Sequence, residues 1–309
     1  MKILIELPTW MGDTVMATPA IESLLDHIND VEISLIGTVN SIELFKYHPK
    51  IIKTYVLNRK LIYYVKDLTK LEEYDVYFTF RSSIRATLTK FFIQSKAKYQ
   101  FNKKNYLAFH QVEKYNNFVA DVFKIQGQAK KLVIHKSKAK KYSRNKLLGI
   151  NPGSSYGSAK RWYPEQFAQV ASSLASEYDI VIFGGLNEMD IAHDIENYLI
   201  EYGTLNYQNL SAKTNIDELV NQIAGLDLFI TGDSGPMHLA AAFEIPTIAI
   251  FGPTRHDETS QWMNEKSLIV KKNLECQPCM KRSCPLNHHN CMKEIKAYDV
   301  LKAVKNLNY

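Results

Sequence analysis

A chain of 309 residues has room for two domains of ordinary size, each with its own core. Its 46% hydrophobic and 23% charged residues are those of a soluble globular protein, and no apolar run approaches the ~18–20 residues of a membrane-spanning helix. The opening MKILIELP reads as a short strand entering a turn rather than as a signal peptide, so a cytoplasmic protein is expected.

Residues 2–7 form the first expected strand, followed by the turn Pro8-Thr9-Trp10-Met11-Gly12-Asp13. A helix from about Thr14 to Ile28 carries Val15, Ile21, Leu24, Leu25 and Ile28 at helical spacing. Pro19 inside it predicts a kink or a later true start. Further strands are expected at Val31–Ile36, Ile51–Leu57, Val76–Phe80 and Lys98–Phe101, and the helices between them end with Val112–Ile125. Short alternating elements of this kind argue for a doubly wound α/β sheet.

The polar, basic stretch from Gln126 to Lys146 is the expected boundary, giving domains of about 1–140 and 141–309. A second series follows: strand Leu147–Asn151, turn Pro152–Lys160, helix Pro164–Tyr178, strand Ile180–Phe183 and turn Gly184-Gly185. Next come a helix near Glu188–Tyr202, a strand near Gln208–Leu210 and a helix at Asp217–Ala224. The strand LDLFI (226–230) then runs into Thr231-Gly232-Asp233-Ser234-Gly235, a small-faced helix from Pro236, and the strand PTIAIF. That succession is a parallel βαβ unit whose turn brings backbone N–H groups and a helix N-terminus to one point. The last helix, Ala297–Asn306, closes the chain, with packing back on the first domain left open. The expected fold class is therefore α/β, two Rossmann-like domains with parallel sheets across a cleft. The turns beyond their strand ends should face that cleft.

The formal charge of +6 is unevenly spread. Between Arg81 and Lys146 there are 17 Lys or Arg against two acids, while the rest of the chain holds 21 against 30. The segment fits a polyanionic partner or a solvated basic surface.

Several residues could carry chemistry. Asp13, just after Gly12, is placed either as a helix cap or as a general base on a rigid turn. The turn from Asn151 to Trp162 offers Ser154, Ser155 and Lys160 before a helix. It reads as a diphosphate cradle or as a flexible surface loop. Glu188 could accept ribose hydroxyls or simply favour a helix dipole. The turn carrying Asp233, Ser234, Gly235 and His238 reads either as an ordinary βαβ crossover with its glycines there for packing or as an anion site; Asp233 and His238 have no packing reason to sit there, and His238 shares a helix face with Ser234. Neither G-x-G-x-x-G nor a Walker-type loop is present, which lowers hydride transfer and ATP hydrolysis. Cys276, Cys279, Cys284 and Cys291, with His288 and His289 among them, could bind zinc or stay as thiols or local disulfides. Only Cys276-x-x-Cys279 is a knuckle of the usual kind.

PTWMGDTVMATPAI, NPGSSYGSAKRWYPEQF and GDSGPMHLAAA together resemble the ADP-heptose:lipopolysaccharide heptosyltransferases, inverting enzymes of glycosyltransferase family 9 with the GT-B fold. The tail CQPCMKRSCPLNHHNCMKEI is most similar to the heptosyltransferase II branch, and the stretch from about 36 to 146 is matched only loosely. The resemblance implies Asp13 as catalytic base, Lys160 near the donor phosphates, a nucleotide-sugar loop at Asp233, Ser234, Gly235 and His238, and Glu188 at the ribose. It implies ADP-heptose as donor, no required cofactor, and no metal; the sequence has no D-x-D motif to hold one. It also implies a phosphorylated lipid A core acceptor, with Arg81 and Arg85 as contacts and a peripheral site at the inner membrane's cytoplasmic face. A different class, a non-catalytic nucleotide- or nucleic-acid-binding protein using 81–146, would bind with steep salt dependence. No nucleic-acid motif accompanies the basic segment, and nucleic acid is not an expected partner.

Overall fold

The computed structural model describes residues 1–58, 60–107, 110–137, 145–153 and 156–307. The chain divides into two compact units, Met1–Ser137 and Lys138–Tyr309.

In the first unit the elements are β1 (Lys2–Glu6), α1 (Met11–His27), β2 (Glu32–Gly37), α2 (Val39–Glu43) and β3 (Ile51–Val56). They continue with α3 (Leu61–Leu68), β4 (Tyr74–Thr79), α4 (Ile84–Phe92), β5 (Ser95–Gln100) and α5 (Gln111–Phe123). The five strands are parallel and ordered β3-β2-β1-β4-β5. β1 and β2, buried along nearly their whole length, need apolar residues on both faces, which Ile3, Leu4 and Ile5 supply in β1 and Ile33, Leu35 and Ile36 in β2. Strand order reverses between β1 and β4, so the turns leaving those two strands share the switch point.

α1 begins at Met11 and continues through Pro19, so the later start expected from that proline is not found. Proline has no N–H to give the Val15 carbonyl. The Thr18 hydroxyl donates to that carbonyl instead, at 2.7 Å, and accepts from the Val133 N–H at 3.0 Å. The neighbouring side chain thus supplies the bond that the ring removes. α1 packs on α5.

The second unit holds β6 (Lys146–Asn151), α6 (Pro164–Leu174), β7 (Tyr178–Ile182), α7 (Met189–Glu201), β8 (Tyr207–Asn209), α8 (Ile216–Ile223) and β9 (Leu228–Gly232). After these come α9 (Gly235–Ala242), β10 (Thr247–Phe251), α10 (His256–Thr259), β11 (Ser267–Lys271), α11 (Asn290–Lys293) and α12 (Ala297–Lys305). Its six parallel strands are ordered β11-β10-β9-β6-β7-β8. Several details depart from expectation, among them the short helices α10 and α11. α6 stops at Leu174, and Tyr178, expected as the helix end, opens β7 as a buried strand residue. β11 was not anticipated; SLIVK extends the sheet beyond β10. α12 packs on α6, β10 and β11 within this unit, burying Ala297, Val300 and Val304. The switch point lies between β6 and β9, so the turns after Asn151 and Gly232 adjoin.

Candidate active site

At the first switch point the turn Leu7–Trp10 is fixed by side chains. Ser41 Oγ donates to the Pro8 carbonyl at 2.6 Å, and the Thr14 hydroxyl lies 3.0 Å from the Trp10 carbonyl. Trp10, not Asp13, is the N-cap of α1. Asp13 sits half-buried in the helix's first turn, directly after Gly12. Its carboxylate accepts from the hydroxyl of Tyr115 on α5. Burial, then the charge of Asp13 and that hydrogen bond, hold the Tyr115 phenol well above its ordinary range, so it remains a protonated donor. Tyr115 is itself wedged between Phe80 and Phe101, with ring centroids 5.0 and 5.1 Å away. The carboxylate therefore has a fixed neighbour on a rigid element.

Arg81 follows β4 at the same edge. Its Nη1 donates to Glu6 Oε1 at 2.8 Å, and Tyr77 Oη donates to Glu6 Oε2 at 2.7 Å. Glu6 is wholly buried, and the guanidinium offsets much of the cost of keeping its charge there. Arg85 lies 3.9 Å over the Tyr64 ring and donates to the Asn58 carbonyl at 2.7 Å. Both arginines thus have internal partners, which sequence spacing does not reveal.

The second switch point carries a denser set. Lys160 stands at the end of a 3-10 turn, Ser158–Lys160, and its Nζ lies 2.6 Å from Asp233 Oδ2. Thr254 Oγ1 donates to the same oxygen at 2.6 Å, and Lys160 also donates to the Asp233 carbonyl at 3.3 Å. Ser234 is the N-cap of α9, yet its hydroxyl does not cap the helix. It lies 3.1 Å from Thr231 Oγ1 and accepts from Asn151 Nδ2 at 3.1 Å, which ties the end of β6 to that of β9. The first N–H groups of α9, from Gly235 onward, are thus left to other acceptors. His238, on the same helix, is buried.

Glu188 is also buried, at the end of the 3-10 turn Leu186–Glu188, where Oε2 accepts from the Gly185 N–H at 2.8 Å. Its carboxyl group lies against Gly153: a Cβ on that glycine would come within 2.0 Å of Glu188 Cδ. Only glycine allows this approach. The turn after β6 thereby meets Glu188 on one side and Asn151 meets Ser234 on the other. Ser154 and Ser155 lie outside the described residues.

The cysteine-rich tract braces the Lys160 turn. Ala159 N–H donates to the Arg282 carbonyl at 3.0 Å, Tyr156 Oη donates to the Met280 carbonyl at 2.7 Å, and a Cβ on Gly157 would sit 2.3 Å from Arg282 O. His289 Nε2 donates to the Ala159 carbonyl at 2.9 Å, so its Nδ1 accepts from Tyr163 Oη at 3.2 Å. All four cysteines are free thiols. Burial, then the other three sulfurs, push the Cys291 thiol up to about 11. Backbone N–H groups, that of His289 foremost and then those of Leu286, His288 and Asn287, lower Cys284 against an opposing burial effect. Asn151, Thr254 and this bracing tract were not foreseen. Asn151 could have been suspected as a polar residue ending an otherwise apolar strand.

Among the described residues, Glu22, His48 and His135 form a group whose ligand atoms all lie within 4.8 Å of one another. Lys50 N–H donates to His48 Nδ1 at 3.2 Å, which leaves the ring proton on Nε2, 2.7 Å from Glu22 Oε1. The nitrogen that a metal would need is already used in that contact.

The pattern describing glycosyltransferase family 9 (heptosyltransferase) matches residues 73–290. Lipooligosaccharide heptosyltransferase 2 of Campylobacter jejuni serotype O:2 is 42% identical, covering 99% of this chain and 98% of the relative. E. coli ADP-heptose lps heptosyltransferase II superposes with a TM-score of 0.83 at 21% identity, covering 99% of this chain and 98% of that one. E. coli heptosyltransferase WaaC with ADP gives 0.78 at 14% identity, covering 99% of both chains. The two structural likenesses are ones of fold, and that fold is GT-B.

Proposed function

This chain belongs to glycosyltransferase family 9, the heptosyltransferases, and on that premise we propose an inverting transfer of heptose from ADP-L-glycero-D-manno-heptose to the heptosyl-Kdo2-lipid A inner core. It is a glycosyltransferase of lipopolysaccharide or lipooligosaccharide biosynthesis; the assignment of residues and substrates is our reading. The observation that carries it is the set of three turns at the strand ends of the second sheet, where Lys160 pairs with Asp233 beside the N-terminus of α9 and the buried Glu188 lies against Gly153 of the Lys160 turn.

In this mechanism Asp13 takes the proton of the acceptor hydroxyl. The hydroxyl oxygen bonds to the anomeric carbon of heptose from the face opposite the diphosphate. The bond from that carbon to the phosphate oxygen breaks, and ADP leaves with the electron pair. Tyr115 keeps the carboxylate oriented by donating to it. Lys160 and the N–H groups of Gly235 and its successors meet the charge developing on the diphosphate. Asp233 alone would repel that charge. Lys160 and Thr254 offset it, and in return Asp233 fixes the ammonium in place. Glu188 accepts the ribose hydroxyls, Ser154 and Ser155 contribute hydroxyls to the diphosphate, and His238 lends its imidazole from within α9. Gly12 leaves room for the acceptor beside Asp13. The basic first unit receives the phosphorylated acceptor, with Arg81 and Arg85 at its rim, and works at the inner membrane's cytoplasmic face. No helix among the described residues is long and apolar enough to cross a membrane, which fits a peripheral contact.

The test is acceptor-dependent ADP release from ADP-heptose with heptosyl-Kdo2-lipid A, for the wild type and Asp13→Ala. Turnover that collapses in the variant supports transfer and base together. Turnover that survives moves the base elsewhere, and tight ADP binding without turnover on any acceptor would favour a non-catalytic nucleotide-binding protein.

A further inference from the structure

α4 is a helix with apolar residues on its wrong side. Its inward face is made by the buried Ala86 and Thr89. Yet Ile84, Leu88 and Phe91, spaced i, i+4 and i+7, share the outward face and are 84%, 40% and 77% exposed. The helix is not frayed: Ser83 caps it, accepting from the Ala86 N–H at 3.3 Å. Arg85 locks it onto α3 by stacking on Tyr64. An aligned, rigid stripe of large apolar side chains facing water marks a surface that something covers.

Charge identifies the occupant. From residue 81 to residue 107 the chain has seven Lys or Arg and no acid at all. Lys98 reaches toward the end of the stripe, with Nζ 3.5 Å from the Phe91 carbonyl, so a cation stands directly beside the most protruding ring. Leu107, 70% exposed, follows the cationic turn Lys103–Asn105. Apolar side chains projecting from a fixed helix, on a segment whose own charges are all cationic and with Lys98 beside the last ring, suit a layer whose interior is hydrocarbon and whose surface is anionic. An apolar groove on a protein partner would reward the stripe but not the run of cations in the segment that carries it. A polynucleotide would reward the cations but not an isoleucine and a leucine.

We propose that the α4 face is the surface by which this chain docks on an anionic phospholipid bilayer, with Ile84, Leu88 and Phe91 in the headgroup–acyl boundary and the flanking lysines on lipid phosphates. The helix starts three residues after Arg81, on the strand-end edge of the sheet that also carries Asp13. A lipid-borne acceptor would therefore be presented along the edge where the base stands. That use of the surface rests on the proposed lipid-linked acceptor; the docking itself does not.

The experiment is flotation of the full chain with vesicles of phosphatidylethanolamine and phosphatidylglycerol, compared with vesicles of phosphatidylcholine alone. The expected result is co-flotation with the anionic vesicles that falls at least about tenfold in raised salt, on phosphatidylcholine, or in the triple variant Ile84→Ser, Leu88→Ser, Phe91→Ser. Lys90→Glu with Lys104→Glu should weaken it without touching the stripe. The triple variant should release ADP as fast as the wild type on detergent-dispersed acceptor, which shows that it folds, but more slowly on vesicle-borne acceptor. Equal flotation of wild type and triple variant overturns the proposal whatever the enzyme does. So does a wild type that ignores vesicles and instead forms dimers abolished by the same substitutions, since the stripe would then meet a second copy. Docking with no heptosyl transfer would leave this surface in place and remove the catalytic reading instead.

Discussion

At the first sheet's switch point the buried charge, Glu6, is closed off by Arg81 and Tyr77, and the half-buried carboxylate of Asp13 is held from one side by Tyr115. At the second, opposite charges from two different turns are joined, Lys160 to Asp233, and the hydroxyls of Thr231, Ser234 and Thr254 fill in around them. The same parallel topology thus supports two chemistries. On the proposed reading, one edge holds a single proton acceptor, Asp13, in a set orientation. The other holds a balanced ion pair beside a helix N-terminus, which can receive a diphosphate without presenting it a bare carboxylate. If that contrast is right, changes at the two edges should fail in different ways.

Asp13→Ala should cost most: a fall in turnover on the order of 10³-fold, with ADP affinity by calorimetry unchanged because the residue lies in the other unit. A matching loss of ADP affinity would erase the distinction between the edges. Lys160→Ala should lower turnover about 10²-fold and weaken ADP binding together, since it removes a cation and exposes the charge of Asp233. It should also destabilise the fold by up to about 3 kcal/mol, because Asp233 is left buried and unbalanced. Adding Asp233→Asn should restore much of the melting temperature and little of the turnover. Recovery of both would mean that Lys160 serves only the fold.

Gly153→Ala should act through shape. The new methyl would overlap the Glu188 carboxyl group, and Glu188, buried and bonded to Gly185, cannot swing away without losing that bond. A loss of about 1–3 kcal/mol in stability is expected, with weaker ADP binding. Placing Glu188→Ala in the same chain removes the obstacle, so the double variant should melt higher than Gly153→Ala alone. If it melts lower, the two residues are not in the contact described.

The alternation of strands and helices was legible because buried parallel strands must be apolar throughout, and ILI, LFI and TIAIF announce themselves. The glycine turns were legible for the same reason that they matter, since they interrupt those runs. Partnerships were not legible. Nothing in the spacing of Arg81 shows that Glu6, 75 positions earlier, holds it. Nor does anything around Asp13 point to Tyr115. Thr18 beside Pro19 is a local signal that the expectation for that proline left out: a hydroxyl one residue before a proline can bond the carbonyl that the proline cannot. β11 was hidden because a five-residue edge strand offers too short a pattern to separate from the loop around it.

The cysteine tract gives the finest contrast, between a thiol of its loop and one in the short helix α11. Cys284 is half-buried and receives backbone N–H groups that favour its thiolate, whereas Cys291 is buried and pushed up to about 11. Thiolate is the form that reacts, so alkylation at about pH 8 should label Cys284 well ahead of Cys291. Raising the pH should speed labelling of Cys291 long after Cys284 has levelled off. The effect on turnover should be small but real, since the chain just before Cys284 supports Ala159 and hence the Lys160 turn. Protection of Cys284 by ADP would tie the tract to the donor edge. Equal labelling of the two thiols across the pH range would mean that the N–H groups do not organise this loop in solution, and the bracing of Lys160 would then need another source.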